Sequence, residues 1–413
     1  MRNLLGAIRK DYGKKLASLH AWNGWIVVVL SLTGLVLLAG FWRGVLGEGR
    51  VWIKWLHIAV GLVSIVPVVY YLFLAGKHWK QLKGKPWQRF NVLVVLALLT
   101  GWFVSGVVLW QYKAAGPALS NSALLIHDLL TWFGLPYIIY HAVTRTKWLK
   151  EPHRRTVEYV RKKEELHPAA GAQPLYTRRA FIRWMVGAGL AVTLGPSFLK
   201  WLGGIIGGAV GSAPTMDELV RNDANKLIPA PEPLPASLPP AGGGAKGYFR
   251  VYTVTKIPAF TNENWSFTID GLVDRKLQWD WTQFVELKRK VQVSDFHCIT
   301  GWSVYNNTWE GIPLRELLEQ AGVQPNAKTV KLYSGDGVYT DSLTLEQAHM
   351  EDVMVAVMHD GKPIPSDLGG PVRLIVPQMY AYKSVKWLNR IELIEDDHTG
   401  YWELRGYSKD AWI

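Results

Sequence analysis

The stretch whose reading decides the fold runs from Val293 to Leu317, V-S-D-F-H-C-I-T-G-W-S-V-Y-N-N-T-W-E-G-I-P-L-R-E-L. It contains Cys298, the only cysteine among 413 residues. One thiol excludes an intrachain disulfide, a cysteine-bound iron–sulfur cluster and a C-x-x-C-H haem attachment. It leaves three roles open: a small buried hydrophobe, a nucleophile, or a single thiolate bond to a soft metal. Apolar residues alternate up to Cys298 and Gly301 follows, which places the thiol at a strand end or in a loop rather than inside a helix. Around it, Trp265–Val273 alternates as a strand, Leu314–Ala321 has helical spacing, and Thr329–Leu332 and Val372–Val376 read as strands. Residues 247–413 are therefore expected to form an α+β mixed-sheet domain.

Working outward, residues 213–246 carry P-A-P-E-P-L-P-A-S-L-P-P-A-G-G-G-A-K. That composition predicts a semi-rigid proline spacer followed by a glycine hinge. Upstream the character of the chain changes. Four apolar runs, Trp22–Trp42, Val51–Ala75, Phe90–Tyr112 and Ala123–Val143, are each long enough to cross a bilayer as a helix. Residues 1–150 are thus expected to be an all-α four-helix transmembrane bundle, followed by a basic cytoplasmic connector over 151–177. Thr177 to Pro196 holds Arg178 and Arg179 ahead of an apolar run, the pattern of a twin-arginine export signal. Residues 178–212 then read as that signal together with a fifth transmembrane helix. Two arginines flanking an ordinary span are the plainer alternative.

The apolar share of 49%, the 21 tryptophans and the mean hydropathy of +0.05 suit a membrane protein with interfacial aromatic belts. The net charge of +13 does not point to nucleic acid, because the basic residues cluster between spans. Lys77, Lys80, Lys83, Lys85 and Arg89 separate spans two and three, and Arg145, Lys147, Lys150, Arg154 and Arg155 follow span four. The other two loops are poorer in lysine and arginine. The positive-inside rule makes the rich loops cytoplasmic, and the fifth helix, running from inside to outside, then places residues 247–413 on the extracytoplasmic side of the cell membrane.

Ionisable groups inside a bilayer are costly and default to a functional role. His127 and His141 lie fourteen residues apart on span four, within about 40° of one helix face and about 21 Å apart along the axis. His57 matches the depth of His127, and His20, at the inner start of span one, matches His141. Two pairs of imidazoles, His57 with His127 and His20 with His141, could each hold a haem iron with no open position, which suits electron transfer. His78, at the basic edge, reads instead as interfacial.

Two runs carry a family resemblance. H-C-I-T-G-W-S-V…W-E-G-I-P-L-R-E-L-L resembles the cysteine loop of the sulfite oxidase-type molybdopterin oxidoreductases, and G-G-P-V-R-L-I-V-P-Q-M-Y-A-Y-K-S-V-K-W-L (Gly369–Leu388) resembles their pterin-binding segment. The resemblance implies a molybdopterin cofactor whose molybdenum is bound by Cys298, the catalytic residue. It implies further cofactor contacts from Tyr252, Thr253, Ser334, Asp336, Arg373, Ser384, Val385 and Lys386. Leu368 departs from the His or Asn common in relatives. The absence of arginine in Ile299–Trp302, where sulfite-oxidising members carry such residues, speaks against sulfite. His297, Trp302, Tyr305 and Tyr339 are candidate pocket walls. The four-span region, with its last-span histidines fourteen apart, is similar to the cytochrome b subunit of respiratory formate dehydrogenases, which implies two b haems and the membrane quinone pool as partner. The combined expectation is a membrane-anchored molybdenum oxidoreductase exchanging electrons between quinone and an extracytoplasmic small-molecule substrate. A methionine sulfoxide reductase-like system driven by quinol is the second expectation, and an electron-transfer or sensor module without turnover the third.

Overall fold

The computed structural model describes residues 11–38, 49–145 and 216–413, with isolated positions at 46 and between 184 and 202. The expected connector, the twin-arginine pair and most of the expected fifth helix lie outside the described residues. The chain divides into two compact units, one of residues 1–35, 55–110 and 123–202, the other of residues 36–54, 111–122 and 203–413.

The first unit is helical. Its elements are α1 (Tyr12–Leu38), α2 (Gly49–Val63), α3 (Ile65–Gln81), α4 (Pro86–Trp110), α5 (Tyr112–Leu129) and α6 (Leu135–Arg145), and the ends of α1, α2 and α5 pass into the second unit. Among the described residues, four helical stretches, Tyr12–Leu38, Gly49–Gln81, Pro86–Trp110 and Tyr112–His141, are long and apolar enough to cross a membrane, and they fit a membrane protein. Trp22, Trp25, Leu72 and Phe90 stand exposed on them, as lipid-facing side chains would. All four helical stretches begin before their apolar runs, because helical hydrogen bonding extends into the polar flanks. Pro67 has no N–H to donate to Val63, where α2 stops and α3 takes over. A five-residue π turn, Leu130–Gly134, separates α5 from α6.

The second unit is the expected mixed-sheet domain. One sheet runs β2 (Leu277–Trp279), β1 (Phe267–Gly271), β10 (Leu388–Ile394), β5 (Thr329–Ser334), β6 (Thr340–Thr344), with only β1 and β10 parallel. The other runs β3 (Lys290–His297), β4 (Ser303–Pro313), β7 (Met354–His359), β8 (Lys362–Pro363), with β9 (Arg373–Ile375) on β7. Every residue of β7 is buried, as a strand covered on both faces requires. Helix α7 (Leu314–Ala321) has the bounds read from the sequence. It buries Leu314, Leu317, Leu318 and Ala321 at i, i+3, i+4 and i+7 and ends on Gly322 at φ +71°.

The segment expected to be a spacer and hinge is folded onto this unit, from Asp217, which pairs with Lys362, onward. Leu234 N–H and Ser237 Oγ both donate to Glu310 Oε2, at 3.0 and 2.7 Å. Gly242 N–H donates to Thr308 Oγ1 at 2.9 Å and Ala245 N–H to Asp360 Oδ2 at 2.7 Å. A buried carboxylate needs partners, and Glu310, fully buried against Arg289 at 2.7 Å, finds them in this segment. Composition alone shows the prolines and glycines but not the acceptors waiting for their backbone.

Candidate active site

Cys298 follows the last residue of β3. Its N–H donates to the Trp302 carbonyl at 2.9 Å and its carbonyl accepts the Gly301 N–H at 2.9 Å, closing the turn into β4. Gly301 sits at φ +94°, a conformation that L side chains adopt only with strain. The half-buried thiol lies 3.2 Å from Thr300 Oγ1. A strand end held by a tight turn presents the sulfur on a rigid frame, as the sequence predicts.

Behind this turn lies a buried polar cluster. Arg373, 2% exposed, donates from Nη1 to the Leu368 carbonyl at 2.6 Å and from Nη2 to the Ser384 carbonyl at 3.3 Å. Its guanidinium lies 4.9 Å from the Phe296 ring and 5.8 Å from the Trp309 ring. Its Nε has no hydrogen-bond partner. Burial pulls Arg373 down to about 9, so it stays charged at neutral pH. His359 sits against Trp309 with ring centroids 4.5 Å apart. Asn307 Nδ2 donates to the Ser294 and Val304 carbonyls, so its Oδ1 is left to accept from His359 Nε2 at 2.9 Å. The lone pair of His359 Nδ1 is then buried and unpartnered, as are the Trp302 and Trp309 indole N–H groups. Burial, with Arg373 adding to it, pulls His359 down to about 4, so the ring is neutral. Phe249 contacts Phe296, Trp302, Trp309 and His359 with centroids 5.4 to 6.2 Å away, so these groups form one cluster. Three orphaned donors and one orphaned acceptor around a buried cation without a carboxylate fit a pterin carrying a phosphate.

Lys386 Nζ donates to the Tyr252 carbonyl at 2.7 Å, and the Tyr252 ring lies parallel to Trp302 at 6.4 Å. The structure thus brings Tyr252, Lys386, Arg373 and Ser384 to the flank of the cysteine turn, while Thr253 continues the same extended segment, half-buried. Ser384 Oγ accepts the Val376 N–H at 3.0 Å and the Val385 carbonyl accepts the Leu374 N–H at 2.8 Å, which ties the pterin-segment turn to β9. Ser334 and Asp336 serve a turn: the Asp336 carboxylate accepts from Val338 N–H, Tyr339 N–H and Thr255 Oγ1 at 2.9 to 3.0 Å, and Ser334 Oγ accepts the Asp336 N–H. Of the expected walls, His297 bonds Ser303 Oγ through Nδ1 at 2.8 Å beside Tyr305, and Trp302 lines the cluster. Tyr339 bonds Tyr382 and Asp341 instead.

Three features escape sequence reading. Burial raises the Tyr407 hydroxyl well above its ordinary range, and the Cys298 thiol and Tyr252 add to it, so Tyr407 lies within electrostatic reach of the cysteine. It stacks on Trp402 at 5.2 Å and 17°, in no recognisable motif. His359 and Asn307 sit in strands that read as plain core. Lys383, 2% exposed, is ion-paired to Asp341 at 2.7 Å and to Glu403.

In the first unit, His57 Nδ1 bonds Thr33 Oγ1 at 2.8 Å and His127 Nδ1 bonds Ser105 Oγ at 2.9 Å. The two rings are 6.3 Å apart between centroids. A metal held by one ring nitrogen at about 2 Å lies about 3 Å from the ring centre, so this spacing suits one ion between two imidazoles. Gly34 faces His57, and a Cβ there would come within 3.2 Å of its Cε1. His141 Nδ1 lies 3.0 Å from Asn91 Oδ1, and His20 interacts electrostatically with His78, whose Nδ1 bonds Tyr71. The π turn carries one residue more per turn than an α-helix, so the fourteen-step count that put His127 and His141 on one face loses about 100° of phase.

Residues 254–402 match the family described as oxidoreductase molybdopterin binding domain. The chain is 30% identical over 194 residues to the uncharacterized oxidoreductase YuiH of Bacillus subtilis, which covers 46% of this chain and 92% of that protein. It is 26% identical over 160 residues to the protein-methionine-sulfoxide reductase catalytic subunit MsrP of Campylobacter jejuni (35% of this chain, 54% of that one). It is 27% identical over 155 residues to MsrP of Gluconobacter oxydans (33% and 49%). The chain spans about half the length of these two reductases. Matching nearly the whole of YuiH, and with a cysteine turn beside a buried cationic cluster, the chain belongs to the molybdopterin-binding oxidoreductases.

Proposed function

We propose that this chain is a membrane-anchored molybdenum oxidoreductase that takes electrons from the quinol pool and reduces a sulfoxide outside the cytoplasm. The observation that carries the reading is the set of orphaned buried polar atoms around Arg373 behind the Cys298 turn. Cys298 would ligate molybdenum, and Arg373, Lys386, His359 and the Trp302 and Trp309 indoles would hold the pterin. When bound, that cofactor supplies two-electron oxygen-atom transfer: a sulfoxide takes two electrons and two protons, and leaves as sulfide and water. The direction is supported by the two relatives named as methionine-sulfoxide reductases.

The chain's own part is positional. The 298–302 turn fixes the sulfur, so little reorganisation accompanies binding. Tyr407, half-buried and held neutral, is too weak an acid for proton transfer and serves as a neutral hydrogen-bond donor near the cysteine. Phe249, Phe296 and Trp309 exclude water from the cation. The His57–His127 pair, each ring oriented through Nδ1 by a neighbouring helix's hydroxyl, leaves Nε2 on both rings for a haem iron. A haem there would supply one-electron transfer. A second haem on His20 and His141 belongs to the same proposal, with its phase argument weakened by the π turn.

Purified from membranes with both cofactors, the protein should show b-type haem bands on addition of a quinol analogue, bleached by a sulfoxide. Molybdenum should be present at about one per chain. Haem bands reduced by an added donor such as sulfite would reverse the direction, and absence of haem would remove the quinone link.

A further inference from the structure

We propose that Arg50 and Lys54 form a cationic wall beside Cys298 and select sulfoxides that carry a carboxylate a few carbons from the reacting sulfur. The proposal rests on the sulfoxide-reductase reading and deepens it. The residues after Cys298, Ile299 to Trp302, hold no cation, so any charge that selects an anion must come from elsewhere in the second unit. That unit includes residues 36–54. Arg50 and Lys54 lie one turn apart at the start of α2, on one face. The Arg50 guanidinium lies 5.6 Å from the centre of the Tyr252 ring, and Lys54 Nζ lies 4.4 Å from that of Tyr407.

Those two aromatics are the residues the site already uses. Tyr252 is parallel to Trp302, whose carbonyl accepts the Cys298 N–H, and the Tyr407 hydroxyl interacts electrostatically with Cys298, Tyr252 and Arg50 together. Arg50 is anchored by Nη2 on the Leu37 carbonyl at 2.7 Å, which fixes its fork, and its buried Nε has no partner. A guanidinium held at its far nitrogen and an ammonium one turn on form a two-point anion receptor rather than a swinging surface charge. A carboxylate would meet both while the sulfoxide oxygen stays free to face the cysteine. A neutral sulfoxide has no use for them, and a cationic one would be repelled.

The test compares N-acetylmethionine sulfoxide, which carries a carboxylate, with its N-methylamide, which does not, on the holoenzyme. The wild type should favour the acid by at least tenfold in kcat/KM, mainly through KM. Arg50→Gln and Lys54→Gln should each lower the acid-to-amide ratio roughly tenfold, and Lys54→Arg should retain it. Inorganic sulfate, titrated against tryptophan fluorescence because Trp302 lines the wall, should bind the wild type and bind each Gln variant at least several-fold more weakly. An acid-to-amide ratio near one in the wild type, or one that the Gln variants leave intact, overturns the inference. Turnover of neither sulfoxide sinks the reductase reading instead, and the sulfate titration, which needs no turnover, then decides on the wall alone.

Discussion

At the scale of the residue, Arg373 carries the most information. A guanidinium buried with only carbonyl partners and an orphaned Nε costs folding free energy, and a bound anion would offset that cost. Arg373→Met should therefore change the melting temperature of the cofactor-free chain little while lowering molybdenum content at least tenfold; a large drop in stability with full occupancy would show a structural role. Cys298→Ser should abolish turnover and leave the optical spectrum of the membrane unit unchanged, because a hard hydroxyl does not replace a soft thiolate. The Lys383 cluster makes a pH prediction. Burial raises Asp341 from 3.8 to about 6, against the pull of Lys383, so the folded chain holds that proton more tightly than the unfolded one. Its ionisation then subtracts stability as pH rises from about 4 through about 6, by up to about 3 kcal/mol. Lys383, raised by Asp341 and Glu403 against desolvation, works oppositely: its contribution is present below 10.5 and lost above its folded value. Lys383→Met should cost about 3–5 kcal/mol. The deficit should be largest above pH 6 and smaller near pH 4, as melts at the two pH values would show. Equal deficits at both would mean that Asp341 does not titrate in this range.

At the scale of the element, the cysteine turn and the π turn differ in how far sequence reaches them. The cysteine turn is legible because its constraints are local: an alternating strand, then a glycine able to sit at φ +94°. Gly301→Ala should cost about 1–2 kcal/mol by placing a Cβ in that conformation, and should lower kcat more than it lowers the melting temperature by turning Cys298. A variant with full kcat would mean the turn tolerates the change. The π turn is not legible. Nothing in L-T-W-F-G announces an extra residue in the helical turn. Gly134 gives its physical setting, since a Cβ there would come within 2.5 Å of Leu98 on α4. The close approach of α4, not local propensity, governs this turn, and so the ideal-helix spacing of His127 and His141 misleads.

At the scale of the whole molecule, the four long apolar helices and the α+β domain after them are plain in the sequence, since span length and strand alternation are one-dimensional properties. The proposed sidedness is testable on Cys298→Ser carrying Ile413→Cys: a membrane-impermeant maleimide should label it in intact cells with a permeabilised outer layer, and labelling only after lysis would place the domain inside. What the sequence determined by itself is the helical membrane region, the mixed-sheet domain, the single thiol at a strand end, and the arginine inside an apolar run that demanded a partner. These depend on neighbours along the chain. The tertiary structure decided what depends on neighbours in space. It folded the proline-rich segment onto Glu310, set His359 and two indoles around Arg373, and set Tyr407 within electrostatic reach of Cys298 across more than a hundred residues. It also held His57 and His127 at 6.3 Å with a hydroxyl behind each. Burial and hydrogen-bond satisfaction are properties of the packed chain, and a linear pattern shows which residues need partners without showing which ones they find.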